Sequence, residues 1–335
     1  MLNVNQAKKD LINSYFPGVC LSFTIGCAAM FLSAQYSVPA MLMALLLGLA
    51  FHFLDDVKKC QKGLMFASKT LLRIGVALLG LRITISQVES LGWQPVLLLV
   101  CAVVGTLLFG VFLARLLGFS YSFGALSGGS VAICGASAAM AISAILPQNE
   151  QAKKDTLITI IGVTTLSTFA MIAYPIIAEK LGLNAELASL FLGATIHDVA
   201  QVTGAGYSMS NEIGDLSTFF KLLRVAMLVP VVLVMSYFIN AFLKSNTCAK
   251  KSIVFPKFLI GFVVLFLVNS FIVIPEQITE LANSVSKTFL LTAVAALGVQ
   301  MSLEDMSKVG IRPVILIVSE TIFIALIVLI MMQFI

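Results

Sequence analysis

Eleven stretches of nearly unbroken apolar sequence run through the chain, at 16–34, 38–54, 63–81, 95–117, 119–146, 156–178, 187–206, 217–243, 258–274, 281–301 and 313–334. About 20 apolar residues is what a helix needs to cross the hydrocarbon layer of a bilayer. No water is available there to satisfy a backbone, so only helices and closed barrels span it. The pattern predicts an all-α polytopic membrane protein with about 11 transmembrane helices, forming a single transmembrane domain over 1–335. Composition agrees. Charged residues are 11% of the 335, where soluble proteins carry about 25%, and that is too few to hydrate the two soluble domains this length would otherwise allow. Disorder, collagen, coiled coil and a disulfide scaffold are excluded on the same ground.

The six cysteines show no CxxC and no metal-ligand spacing, and free thiols are expected. Lys8 and Lys9 before the first run imitate a signal peptide, but no small-residue cleavage site follows, so a retained first helix is expected. Thirteen of the 21 basic residues fall on one side of the predicted membrane, among them Lys58, Lys59, Lys62, Arg115, Lys180 and Arg312. Only Arg82, Lys153 and Lys154 fall on the other. Basic loops stay on the cytoplasmic side, which predicts a bacterial inner-membrane protein with its N-terminus cytoplasmic and its C-terminus outside.

Two internal likenesses appear. Leu45, Leu47, Gly48 and His52 recur as Leu190, Leu192, Gly193 and His197, and Leu71-Leu72-Arg73 recurs as Leu222-Leu223-Arg224. Each pair lies five segments apart. An odd number of crossings turns the second copy over, the mark of inverted repeats in secondary transporters. On this reading 16–34 is an added N-terminal helix, 38–178 the first inverted five-helix repeat and 187–334 the second. A competing match relates Lys69-Thr70, Val76-Ala77 and Leu79-Gly80 to Lys287-Thr288, Val294-Ala295 and Leu297-Gly298. It also implies inversion, with a different alignment.

The fifth segment holds Ser127-Gly128-Gly129-Ser130-Val131-Ala132-Ile133-Cys134-Gly135-Ala136-Ser137. Glycine and serine weaken a helix, and broken backbone in a bilayer survives only inside protein or along a cavity. A discontinuous helix is expected, with the free N–H groups of its second half turned toward an anion. Close packing through small residues is the plainer alternative. Segment ten, with Gly298 and Gln300, offers a weaker counterpart. In the seventh segment His197 and Asp198 stand near mid-span, where ionisable groups usually face a polar interior or a pathway. His197 and Gln201 share a face. Two histidines in all, with no HExxH, exclude the usual zinc sites.

Five basic residues fall within the segments: Lys69, Arg73, Lys221, Arg224 and Lys287. The acids found there are Asp198 and Glu320. Lys221, near a segment end, is expected to snorkel. The surplus of three positive charges suits an anion path, since arginine binds carboxylate, sulfate or sulfonate in bidentate fashion; pairing with the two acids and with helix C-terminal carbonyls is the plainer alternative. No Walker loop is present, and no cofactor is expected.

The run Ser68-Lys69-Thr70-Leu71-Leu72-Arg73 with Gly75, then Leu79-Gly80-Leu81-Arg82, the Ile133-Cys134-Gly135-Ala136-Ser137-Ala138 core and Ile196-His197-Asp198-Val199-Ala200-Gln201-Val202 together resemble the YeiH-like sulfate exporter family over nearly the whole chain. That family is grouped with the cation/proton antiporter and bile-acid symporter superfamily. The resemblance implies two broken helices crossing near the midplane and a helical panel moving past a scaffold. Its name implies a substrate class, sulfate or sulfonate. The family's motif carries Ser-Ile-Cys-Gly, whereas Val131 and Ala132 here separate Ser130 from Ile133.

The sequence thus points to a secondary active transporter of a small anion, working by alternating access and not an enzyme. The expected site comprises Lys69, Arg73, Ser130, Cys134, Gly135, Ala136, Ser137, His197, Asp198, Gln201 and Gln300, with His197 and Asp198 coupling a proton or Na⁺. Its partners are the small anionic solute and the lipid bilayer. A homodimer is compatible with the sequence, and no nucleic acid is expected. Two rivals stand beside it: a cation/proton antiporter using Asp198, and an intramembrane enzyme pairing Ser137 or Cys134 with His197.

Overall fold

The computed structural model describes residues 2–36, 39–90, 92–147, 149–243, 257–272, 274–301 and 310–334. Cys248 and the loop lysines Lys244, Lys250, Lys251 and Lys308 lie outside the described residues. All the regular structure described is helical, in chain order α1 (Leu2–Tyr36), α2 (Ala40–Ala50), α3 (Lys58–Phe66), α4 (Leu72–Leu78), α5 (Ile85–Ser90), α6 (Gln94–Leu116), α7 (Tyr121–Ala132), α8 (Ala136–Ile145), α9 (Glu150–Lys180), α10 (Ala185–Thr195), α11 (Val199–Met209), α12 (Asn211–Ala226), α13 (Leu228–Leu243), α14 (Lys257–Phe271), α15 (Glu276–Gln300) and α16 (Ile311–Met331). A π-helical turn, Ala67–Leu71, joins α3 to α4, and a 3₁₀ turn, Leu79–Leu81, follows α4.

Among the described residues, seven stretches are long and apolar enough to cross a membrane: Ser14–Tyr36, Lys58–Leu81, Gln94–Leu116, Glu150–Lys180, Asn211–Tyr237, Glu276–Gln300 and Ile311–Phe334. The other four sequence segments are short or interrupted. Segment 38–54 is α2 followed by a 3₁₀ turn, and segment 258–274 is α14. Segments 119–146 and 187–206 are each split in two. Segment ten, where a second break was expected, is the unbroken α15.

The described residues group into two compact units. The first comprises Met1–Ser90, Thr203–Asp215 and Lys257–Ser302. Its helices approach closely at glycines. A Cβ on Gly48 of α2 would stand 2.4 Å from the Ala295 carbonyl of α15 and 2.9 Å from Gly298 Cα. Without a side chain on either strand of this crossing the backbones touch, as is usual between membrane helices. The Ser286 hydroxyl of α15 donates to Gly75 O of α4 at 2.7 Å. Arg82 donates from Nη1 to Asp215 Oδ1 at 2.6 Å and to the Tyr207 hydroxyl at 2.7 Å, and Tyr207 donates in turn to Asp215. This triad ties the 3₁₀ turn after α4 to the end of α11 and the start of α12.

The second unit comprises Leu91–Val202, Leu216–Pro256 and Leu303–Ile335. Its helices start at sequence-encoded caps: Ser120 accepts from Phe123 N, Asn149 from Ala152 N and Asn184 from Leu187 N. Phe109 of α6 stacks on Phe323 of α16, with ring centroids 4.1 Å apart. Ala114, Phe123 and Leu316 form a buried cluster among α6, α7 and α16.

Candidate functional site

Both interrupted helices lie in the second unit. α7 stops at Ala132 and α8 starts at Ala136. Between them Gly135 takes φ +63°, ψ −125°, backbone that side-chain-bearing residues rarely adopt. Serine hydroxyls here return to their own helix: Ser130 donates to Leu126 O at 2.5 Å. Ser130 is fully buried, so its hydroxyl is turned inward. The second interruption, 196–198, separates α10 from α11. Here Asp198 is the starting cap. Its Oδ1 accepts from Ala200 N at 3.3 Å, while its own N–H donates to Ser167 Oγ at 3.1 Å. A Cβ on Gly135 would lie 3.7 Å from His197 Cβ, so the two interruptions are in van der Waals contact.

A helix that ends inside protein leaves its last carbonyls without partners. Two basic residues of α12 supply them for both helices at once. Lys221 Nζ donates to Ile133 O at 2.6 Å and Ile196 O at 2.8 Å. Arg224 donates to Val131 O, twice to Ala132 O, and to Gly193 O and Ile196 O, at 2.6–3.1 Å. Both side chains are 0% exposed. Snorkelling, expected for Lys221, is therefore corrected: its ammonium turns inward to the negative ends of α7 and α10. Of the five bases within the segments, Lys69, Arg73 and Lys287 are exposed on the protein surface, and the two that are buried are bound by carbonyls.

On the opposite side of each interruption begin α8 and α11. Ser137 in the first turn of α8 is exposed, and its hydroxyl reaches Cys134 Sγ at 2.9 Å and Cys134 O at 3.2 Å. Ala136 and Asp198 are half-buried. Gln201 is 4% exposed and its Oε1 has no partner. His197 Nε2 lies 3.0 Å from Thr321 Oγ1. Its Nδ1 is buried with no hydrogen-bond partner among the described residues.

The second unit thus gathers Ser130, Cys134, Gly135, Ala136, Ser137, His197, Asp198 and Gln201. Lys69 on the π-helical turn, Arg73 on α4 and half-buried Gln300 at the end of α15 belong to the first unit. Lys221 and Arg224 were missed as site residues. Their i,i+3 spacing was visible, and helix C-terminal carbonyls, the plainer alternative for the basic residues, are the partners these two take. Thr321 and Ser167 carried no signal beyond polarity in an apolar run, whereas Ser127 opens the glycine- and serine-rich stretch.

The family described as conserved hypothetical protein 698 matches residues 17–317. A UPF0324 membrane protein of Chlorobaculum tepidum is 49% identical over 325 residues, covering 97% of this chain and 91% of the relative. The UPF0324 membrane protein TauZ of Paracoccus denitrificans is 46% identical, covering 97% of each chain. The UPF0324 inner membrane protein YeiH of Escherichia coli is 29% identical, covering 94% of this chain and 93% of the relative.

Proposed function

Because the chain belongs to the UPF0324 family of membrane proteins, we propose that it is a secondary transporter of a small anion, binding its substrate where α8 and α11 begin. The observation that carries the reading is the pair of touching interruptions, with both C-terminal half-helix ends neutralised by Lys221 and Arg224. With Asp198 capping the start of α11, the N-terminal end without an acidic cap is that of α8, which attracts anions and has Ser137 exposed beside it. Broken helices that face an anionic group with their N-termini are a recurring transporter device. Eleven crossings, inverted repeats, alternating access and a cytoplasmic N-terminus complete the proposal, and Gln201 and Asp198 set the edge of the site.

Reconstituted vesicles test it with radiolabelled sulfate, methanesulfonate and acetate. The expected result is uptake of at least one above empty vesicles, lowered by Gln201→Ala, with the same anion protecting Ser137→Cys from a thiol reagent. No uptake of any, or labelling of Ser137→Cys indifferent to all three, overturns it.

One observation favours a cation/proton antiporter: half-buried Asp198 carries a carboxylate at the second interruption. Asp198→Asn would then abolish cation-dependent proton flux. The enzyme reading lacks a nucleophile–base pair, because the hydrogen bond from the His197 ring goes to Thr321 and none goes to Ser137 or Cys134.

A further inference from the structure

Glu320, in the middle of α16, is 0% exposed, and no ion pair reaches it among the described residues. Ser127 of α7 donates to its Oε1 at 2.8 Å, while Oε2 is buried with no partner. On the α6 side the carboxyl rests on bare backbone: a Cβ at Gly110 would stand 2.5 Å from Oε1. Thr321, the next residue, meets His197 of the second interruption and donates to Ile317 O at 2.8 Å. The carboxyl therefore touches α7, the first interrupted helix, and sits one residue from a contact with the other.

Among the described residues the elements packed against α16 bring no compensating charge to it. α6 presents Gly110, and its only charged residue, Arg115, is exposed near its end. α7 presents Ser127, and its only ionisable residue, Tyr121, is exposed at its start. α9 packs Gly162 against Ile317 and carries nothing ionisable between Asp155 and Tyr174. α10 has only Glu186, exposed in its first turn. The following interruption contributes His197, through Thr321, and Asp198. A carboxylate enclosed without a cation costs several kcal/mol, whereas a neutral acid asks for one hydrogen bond, which Ser127 supplies.

We propose that Glu320 is a proton-binding site coupled to the transport cycle: it carries its proton while α16 rests on Gly110 and Ser127, and releases it when these helices part. The proton leaves the carboxyl oxygen for water and no other bond changes. A proton held more tightly in one conformation than in another shifts their balance, which is what coupling requires. The proposal rests on the transporter reading for the cycle itself, and not for the proton site.

Two measurements on the full-length protein in lipid vesicles test it. Glu320→Gln keeps a group that can accept from Ser127 and removes the titration. Infrared spectra of the wild type should show a protonated-carboxyl band that disappears as pH rises, and Glu320→Gln should lack it. An imposed pH gradient should change sulfate or methanesulfonate flux in the wild type, with the flux ratio at unity in Glu320→Gln. A band that stays in Glu320→Gln, a wild-type band unchanged at every pH, or a gradient response equal in both proteins overturns the proposal. If neither anion moves in the wild type, the transport reading falls and the infrared band alone decides the proton site.

Discussion

Arg224→Met tests how the two interruptions are held. The guanidinium makes five hydrogen bonds to four carbonyls, from 2.6 to 3.1 Å. Lys221 still serves Ile196 O in the variant. Val131, Ala132 and Gly193 carbonyls lose the Arg224 donor that serves them. Each stranded acceptor costs about 1–3 kcal/mol, and removing one partner of a buried charged interaction costs about 3–5 kcal/mol in total. Methionine fills much of the volume, so cavity formation adds little. At an unfolding entropy of about 2.1 cal/mol/K per residue, each kcal/mol shifts the melting temperature of a 335-residue chain by about 1.4 °C, so it should fall by roughly 4–7 °C. A thiol-reactive dye can follow this in detergent, because Cys134 is only 4% exposed and sits in the first interruption. Arg224→Lys retains the charge but loses the planar fork and should fall between the two. A melting temperature for Arg224→Met equal to that of the wild type would refute the idea that these bonds hold the half-helices together.

Gly135→Ala should destabilise by about 1–3 kcal/mol through conformation alone, since the nearest atoms to its Cβ are a comfortable 3.7 Å away; the same thermal assay reads it. Gly48→Val should abolish recovery of folded protein, because its Cβ meets the Ala295 carbonyl at 2.4 Å and the obstruction is backbone. A double-mutant cycle of Arg82→Gln and Asp215→Asn should give a coupling of about 0.5–3 kcal/mol, since both side chains are about 15% exposed; additive melting shifts would show the triad to be idle.

Glycine and serine between Ser127 and Ser137 were enough to find the first interruption, because both residue types loosen a helix locally. The second was read as a polar site inside a continuous helix, and the break was sought at Gly298 instead. No glycine or proline occupies 196–198. The available signal was Asp198 followed by Gln201, the Asp-x-x-Gln spacing of a helix start, which is easily passed over inside an apolar run. The long spans were legible from hydropathy, as expected where the solvent itself enforces helices. The burial of Lys221 and Arg224 was not. Counting side-chain acids against side-chain bases omits the backbone, and in this protein the backbone is the acceptor.

That omission changes the electrostatic argument for an anion. Each interruption exposes one C-terminal and one N-terminal helix end, worth about half a charge of opposite sign, so the two interruptions cancel. Within the second unit Lys221 and Arg224 stand on the C-terminal ends, and Asp198 caps the start of α11. Two cations against one carboxylate leave a single positive charge, smaller than the surplus of three counted along the sequence. The start of α8 has no acidic cap, and its exposed side chain is Ser137. One unmatched charge at one helix start suits a singly charged carboxylate or sulfonate as it stands. Sulfate, carrying two, would need a further positive charge to enter the same place, and a proton delivered with it is the simplest supply. Glu320 is not that supply: its carboxyl already counts as neutral in that balance, and losing its proton would bring the balance to zero, so a site with one positive charge favours the singly charged anion.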